Sequence, residues 1–196
     1  MDDELLLHIL NLIQPLSARL QARFLSCITE KKLPKKHKLL LGGQTANAIY
    51  FIKSGFARAF YHTRSGKECT SWFMGTGDIM ISVYSFYSRQ PAQETIELLE
   101  DSTIQFMSWS DVQGIYADFP EFNYHGRLLT EKYYIASEQR ATLLRTGTAA
   151  ERYALLLKSY PQILLKASLL QIASYLNVSH EALCRIRSGG FAKRAN

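Results

Sequence analysis

The side chains best placed to do chemistry lie near the end of the chain, in the stretch 166–188, KASLLQIASYLNVSHEALCRIRS. Leu169, Ile172, Ala173 and Leu176 recur there at helical spacing, which gives a first segment one apolar face. Asn177-Val178-Ser179 breaks the pattern: asparagine tolerates the left-handed conformation that ends a helix, and serine suits the N-cap of the next. The second segment, 180–187, turns Ala182, Leu183 and Ile186 inward and leaves His180, Glu181, Cys184, Arg185 and Arg187 outside. Two short helices around a tight turn, the second with a polar outer face, describe a helix-turn-helix. In a major groove Arg185 can donate two parallel hydrogen bonds to a guanine edge, Glu181 can accept from a cytosine amino group, and His180 can reach a base or a phosphate. Ser168 and Ser179 at helix starts, with Lys166 and Arg187, suit phosphate oxygens. The same spacing also fits an ordinary helical hairpin with a solvated charged face.

The run IASYLNVSHEALCRIR resembles the DNA-binding end of Crp/Fnr-type transcription regulators, particularly a shorter branch that ends soon after R-I-R. That resemblance implies base readers at the start and middle of the second helix, which fall on His180, Glu181 and Arg185, with Cys184 also on the exposed side. His180 and Cys184 stand where relatives often carry Arg or Ser, so the target sequence does not transfer. The partners implied are double-stranded DNA with a pseudo-palindromic site, a second copy of the chain, and RNA polymerase.

The elements that must position these residues belong to an ordinary globular chain of 196 residues, 47% hydrophobic and 20% charged. Its apolar runs fall short of the roughly 18 residues a membrane span needs. The acidic start Met1-Asp2-Asp3-Glu4 is unlike a signal peptide. A cytoplasmic protein without a membrane partner is expected. Cys27, Cys69 and Cys184 are scattered with no C-x-x-C spacing, which argues against a disulfide framework, a zinc site or a four-cysteine cluster held by this chain. Ordinary thiols are expected, with Cys184 the one whose oxidation would block a reading helix. Net charge is +6, and residues 146–196 carry seven Lys/Arg against two Glu, a local +5. Charge gathered there is the footprint of a polyanion partner.

Residues 2–30 read as two helices, the first ended by Pro15 and the second capped by Ser17. The basic run Lys31–Lys38 fits a nucleic-acid contact but reads first as a solvated loop. From 39 to 109 the helical period vanishes. Strands are expected at Ala48–Ile52, Ala57–Tyr61, Cys69–Met74, Thr95–Leu99 and Ile104–Trp109, with Gly-rich turns between them. Many short strands at this spacing suggest an antiparallel roll or barrel. Phe119–Arg145 reads as one long helix with Asp118 as cap. Phe122, Leu129, Ala136 and Leu143 recur along it every seven residues, as one row of a dimer seam or a docking stripe. Thr146-Gly147-Thr148 is a hinge, and Thr148 caps a further helix over 149–160. Gly189-Gly190 ends the reading helix, and Phe191–Asn196 is a short basic tail without room for a wing hairpin. The fold expected is α+β: an N-terminal jelly-roll sensor (1–118), a long dimerisation helix (119–145) and a helix-turn-helix domain (146–196).

The stretch YFIKSGFAR (50–58) resembles the sensory jelly roll of the same regulators. Members that bind cyclic nucleotides use a G-E pair followed further on by an Arg that pairs with the cyclic phosphate. Here Asp78 stands at the Glu, and Ala92 or Gln93 falls where the Arg should be, with Glu94 beside it. A phosphate would lack its charge-assisted partner, so cyclic AMP binding is not expected and no cofactor is assigned. Candidate pocket residues for another effector are Asp78, Tyr84, Phe86, Tyr87 and Arg89. No G-x-S-x-G and no H-x-H pair occurs, so an enzyme is not expected. The competing readings are a small-molecule-binding protein whose helix-turn-helix mediates protein contacts, and a cupin-like metalloenzyme.

Overall fold

The computed structural model describes residues 4–189. Two helices open it, α1 (Glu4–Ile13) and α2 (Ala18–Cys27). Ser17 caps α2 by accepting the Leu20 N–H at 3.2 Å, satisfying one of the donors that a helix start leaves open. Leu6, Leu10, Leu20 and Phe24 are the side chains this pair buries.

Eight strands follow in two antiparallel sheets. They are β1 (Thr29–Leu33), β2 (Lys38–Leu40), β3 (Ala48–Ser54), β4 (Phe56–His62), β5 (Glu68–Gly75), β6 (Ile79–Met80), β7 (Thr95–Leu98) and β8 (Ser102–Ser108). One sheet runs β1-β8-β3-β6 and the other β2-β7-β4-β5, the antiparallel roll that the alternating segments predict. The five expected strands all form, their ends moved by one or two residues. Between β3 and β4 the chain reverses at Gly55, with φ +120°, where a Cβ would lie 2.0 Å from Ser102 Oγ; only glycine fits. Helix α3 (Val83–Ser88) is inserted between β6 and β7, and α4 (Trp109–Asp118) follows β8.

Three expectations are corrected. The basic run is a solvated loop only over 34–37: Lys31 and Lys32 lie in β1, an outer strand, paired with Ile104 and Thr103 of β8. Lysines suit such an edge because they remain solvated while the backbone pairs. Trp109 begins a helix rather than ending a strand, since Ser108 accepts the Asp111 N–H at 3.1 Å and caps α4. The long helix, α5, runs Phe122–Thr146 and starts after Glu121. Asp118 closes α4 instead of capping α5, and Phe119 donates back to the Ile115 carbonyl at 2.9 Å.

After α5 come α6 (Ala149–Ser159), α7 (Ile163–Lys166), α8 (Leu169–Tyr175) and α9 (His180–Arg187). Two apolar clusters hold the chain together. One lies within the roll and under α1, α2, α4 and the start of α5. The other joins Phe56, Phe73 and Leu99 of the roll to Leu156, Ile163, Ile172, Leu176 and Leu183 of the C-terminal helices. Gly190 and the basic tail lie outside the described residues. Among those described, no helix is long and apolar enough to cross a membrane.

Candidate DNA-reading surface and effector cavity

The helix-turn-helix is built by its capping residues. Ser168 accepts the Gln171 N–H at 3.2 Å while Gln171 Oε1 accepts the Ser168 N–H at 2.8 Å, a reciprocal box that starts α8. Asn177 takes a left-handed φ of 52° and turns the chain. Ser179 then accepts the Ala182 N–H at 3.1 Å and starts α9. Leu183, fully buried, fixes the inner face of α9. Glu181, Cys184, Arg185 and Arg187 are exposed, and His180 is half-buried with its ring nitrogens 4.0 Å from Cys184 Sγ. The backbone N–H of Glu181 itself and the Ser179 hydroxyl hold the Glu181 carboxyl below the usual range. It is therefore an ionised acceptor at the positive end of α9. Ser179 is shared between this carboxylate and its cap. Lys166 is placed differently from expectation: it is ion-paired with Glu100 and so faces the roll.

Beneath this surface the helix pair is docked on β5. The Thr70 N–H donates to Ser174 Oγ at 3.1 Å, and Ser174 donates to Thr70 Oγ1 at 3.0 Å. Tyr160 donates to the Phe73 carbonyl at 2.6 Å, and its ring meets Phe56 edge-on at 5.4 Å. The Phe73 and Tyr175 rings are 5.0 Å apart. From α5, Arg140 stacks over Tyr175 at 3.7 Å and donates to its carbonyl at 2.9 Å. Gly147 sits between α5 and α6, where a Cβ would lie 2.8 Å from the Leu143 carbonyl oxygen. Arg152 ties this joint to the reading unit by donating to the Gly147 and Leu176 carbonyls at 2.7 and 2.9 Å.

A second site lies between the roll and α5: a cavity of about 470 Å³. Trp72, Met74, Phe106, Tyr116, Leu129 and Tyr133 are among its walls, and its mouth carries Val83, Tyr84, Tyr87 and Tyr134, all exposed. Of the expected pocket residues, Tyr84 and Tyr87 line it. Asp78, Phe86 and Arg89 do not. Asp78 accepts the Gly75 N–H at 2.8 Å and caps the turn after β5. Phe86 is buried in the roll's core. Arg89, with left-handed φ 59°, donates to the Ala46 carbonyl at 2.7 Å and lies 4.7 Å over the Trp109 ring. Reasoning from spacing alone missed Gln105, Tyr116 and Tyr133, and did not count Glu94 among the pocket residues. A glutamine inside the apolar strand sequence Ile104–Met107 was the available signal.

Glu94 is the one charged side chain among the described residues lining the cavity. Burial pushes its carboxyl up, against a hydrogen bond with Ser82 that lowers it. Burial likewise raises the Tyr116 hydroxyl to about 12 and shifts Tyr133 upward, so both phenols stay neutral. Among the described residues, no group of three His, Cys, Asp or Glu could hold a metal ion.

Residues 30–119 match the family model described as the cyclic nucleotide-binding domain. No curated protein matches the sequence. Among solved structures, FixK2 of Bradyrhizobium japonicum is 20% identical with a TM-score of 0.73, covering 85% of each chain. A protein of Eubacterium rectale described as a transcriptional regulator of the Crp/Fnr family is 16% identical with a TM-score of 0.72, covering 91% of this chain and 85% of that one. The chain has the Crp/Fnr fold. The c-di-GMP responsive global regulator CLP of Xanthomonas campestris shares that fold at 16% identity and a TM-score of 0.71, covering 90% of this chain and 93% of its own. The likeness of fold covers between 85% and 91% of the chain.

Proposed function

We propose that the chain is a homodimeric, sequence-specific DNA-binding transcription regulator whose roll senses a small effector. The observation that carries this reading is α9. Its inner face is fixed by buried Leu183, while Glu181, Arg185 and Arg187 stand exposed on the other. Arg185 and Glu181 read bases, His180 reaches a base or a phosphate, and Cys184 lies on the same surface. Ser168, Ser179 and Arg187 hold phosphates. The proposed units are a sensor over 1–118, a dimer helix over 119–145 and a DNA-binding unit over 146–196.

Dimerisation runs along α5. Phe122 and Leu129 of the seven-residue row pack on the chain's own core, as a docking stripe would, whereas Ala136 and Leu143 belong to neither apolar cluster. Tyr124, Tyr134 and Ile135 are exposed and offer a second copy an apolar face. Two copies set their reading helices about 34 Å apart on a pseudo-palindromic site. Structures described as regulators support regulation rather than catalysis, and RNA polymerase is the further partner proposed.

Selection from random duplex DNA with purified protein tests the reading. A palindromic motif is expected, bound with an affinity that falls steeply as salt rises. Arg185→Ala should cost about 1–3 kcal/mol on that site and relax its sequence preference. An equal loss on every sequence would reduce Arg185 to a phosphate contact, and no enrichment with or without cell extract would overturn the reading.

A further inference from the structure

We propose that the cavity under α5 takes an organic amine with an apolar or aromatic body, its cationic head seated on Glu94. The inference rests on the regulator reading only in calling that molecule an effector.

The walls set the body. About 470 Å³ accommodates a compact organic molecule rather than a chain of sugars. Trp72, Phe106, Tyr116 and Tyr133 line it, and Tyr84 and Tyr87 stand at its mouth. Ring faces carry negative potential and attract a cation that has left water.

Charge sets the head group. No Lys, Arg or His lines the cavity among the described residues; its one charged side chain is a carboxylate. Two cations outside the lining approach its rings: Lys31 lies 5.4 Å over Phe106, and Arg140, bonded to the Tyr175 carbonyl, lies 5.9 Å over Trp72. A second lining group asks for the same ligand. Gln105 is 1% exposed, its amide nitrogen donates to Glu30 at 3.0 Å, and its Oε1 has no partner. A buried acceptor left open is costly, and a ligand N–H removes that cost. The Thr130 hydroxyl, which also lines the cavity, is already donated to the Gly126 carbonyl at 2.8 Å. Glu94 and Gln105 thus both line the cavity as acceptors. A phosphate would face both with no guanidinium to hold it. Burial already disfavours the free Glu94 carboxylate, and an ammonium ion beside it reverses that penalty.

Isothermal titration of the full chain, without DNA, against matched ligands tests this. Indolyl, phenyl and octyl bodies are each carried on an amine, an alcohol and a carboxylate head, with cyclic AMP added as the phosphate. In at least one body series the amine should bind at least about tenfold tighter than its alcohol and carboxylate partners. Glu94→Gln should erase that ratio while leaving alcohol binding in place. Amines no tighter than their alcohols, preference for carboxylate or cyclic AMP, or no binding by any head group would each overturn the proposal. The unsubstituted chain decides the matter even if Glu94→Gln fails to fold. Because no DNA is present, amine binding by a chain that selects no DNA motif would keep this inference and sink the regulator reading.

Discussion

The molecule contains two apolar assemblies of opposite character, and both lean on β5. Under α8 the space is filled: Phe73 and Tyr175 meet ring to ring, Phe56 stacks on Phe73, and Ser174 and Tyr160 bond to β5. Under α5 the neighbouring residues Trp72 and Met74 of the same strand wall a cavity instead. Alternate side chains of one strand point to opposite faces, so a single strand carries Phe73 toward the reading helices and Trp72 and Met74 toward the cavity. A ligand that shifts β5 from one side therefore acts directly on the surface that seats α8.

Substitutions can break this contrast, most strongly at Phe73. Phe73→Ala empties the filled side and should cost about 3–5 kcal/mol in chemical denaturation, whereas Tyr84→Ala at the cavity mouth should stay within about 0.5 kcal/mol. Equal costs would mean that the two sides are packed alike. A matched pair of additions comes next. Ala173→Val, in the filled side, should cost about 1–3 kcal/mol through overpacking. Ala59→Val, in the cavity wall, should cost less and should weaken binding of any cavity ligand by calorimetry. Ser174→Ala removes the bonds to Thr70 and should cost about 1 kcal/mol, read as a lower unfolding midpoint with an unchanged denaturant slope.

The smallest effect is expected with pH. Because burial raises the Glu94 carboxyl, the folded chain holds that proton more tightly than the unfolded chain. The stability it contributes is complete at low pH and is lost as pH climbs from the ordinary carboxylate range through the raised folded value. Glu94→Gln should flatten that part of the stability–pH curve. An unchanged curve would remove Glu94 from the cavity's electrostatics.

What could be read in advance followed from local chemistry. Ser17, Thr148 and Ser179 announce helix starts because a serine or threonine oxygen can accept an open N–H two or three residues on; each does so here. The strands were legible where β-branched and aromatic residues cluster between glycine turns. Long-range geometry was not legible. Lys31 and Lys32 look like a loop because their charge reports solvation, and an outer strand is solvated too. Asp78 looks like a pocket residue by its place after Gly77, yet its carboxylate serves the Gly75 N–H. Lys166 looks free until Glu100, distant in sequence, is brought against it. The cavity itself draws on all of α1 to α5 and on five strands, and no single window of sequence contains it.

The second apolar cluster also bears on portability. Leu183 and Ile172, which set the shape of the reading unit, share their interior with Phe56, Phe73 and Leu99 of the roll. Helices that borrow side chains from the roll cannot be excised and grafted onto another chain without leaving part of their own interior behind. Any exchange of these helices would have to carry the outer face of β5 along with them, making strand and helices one unit of inheritance.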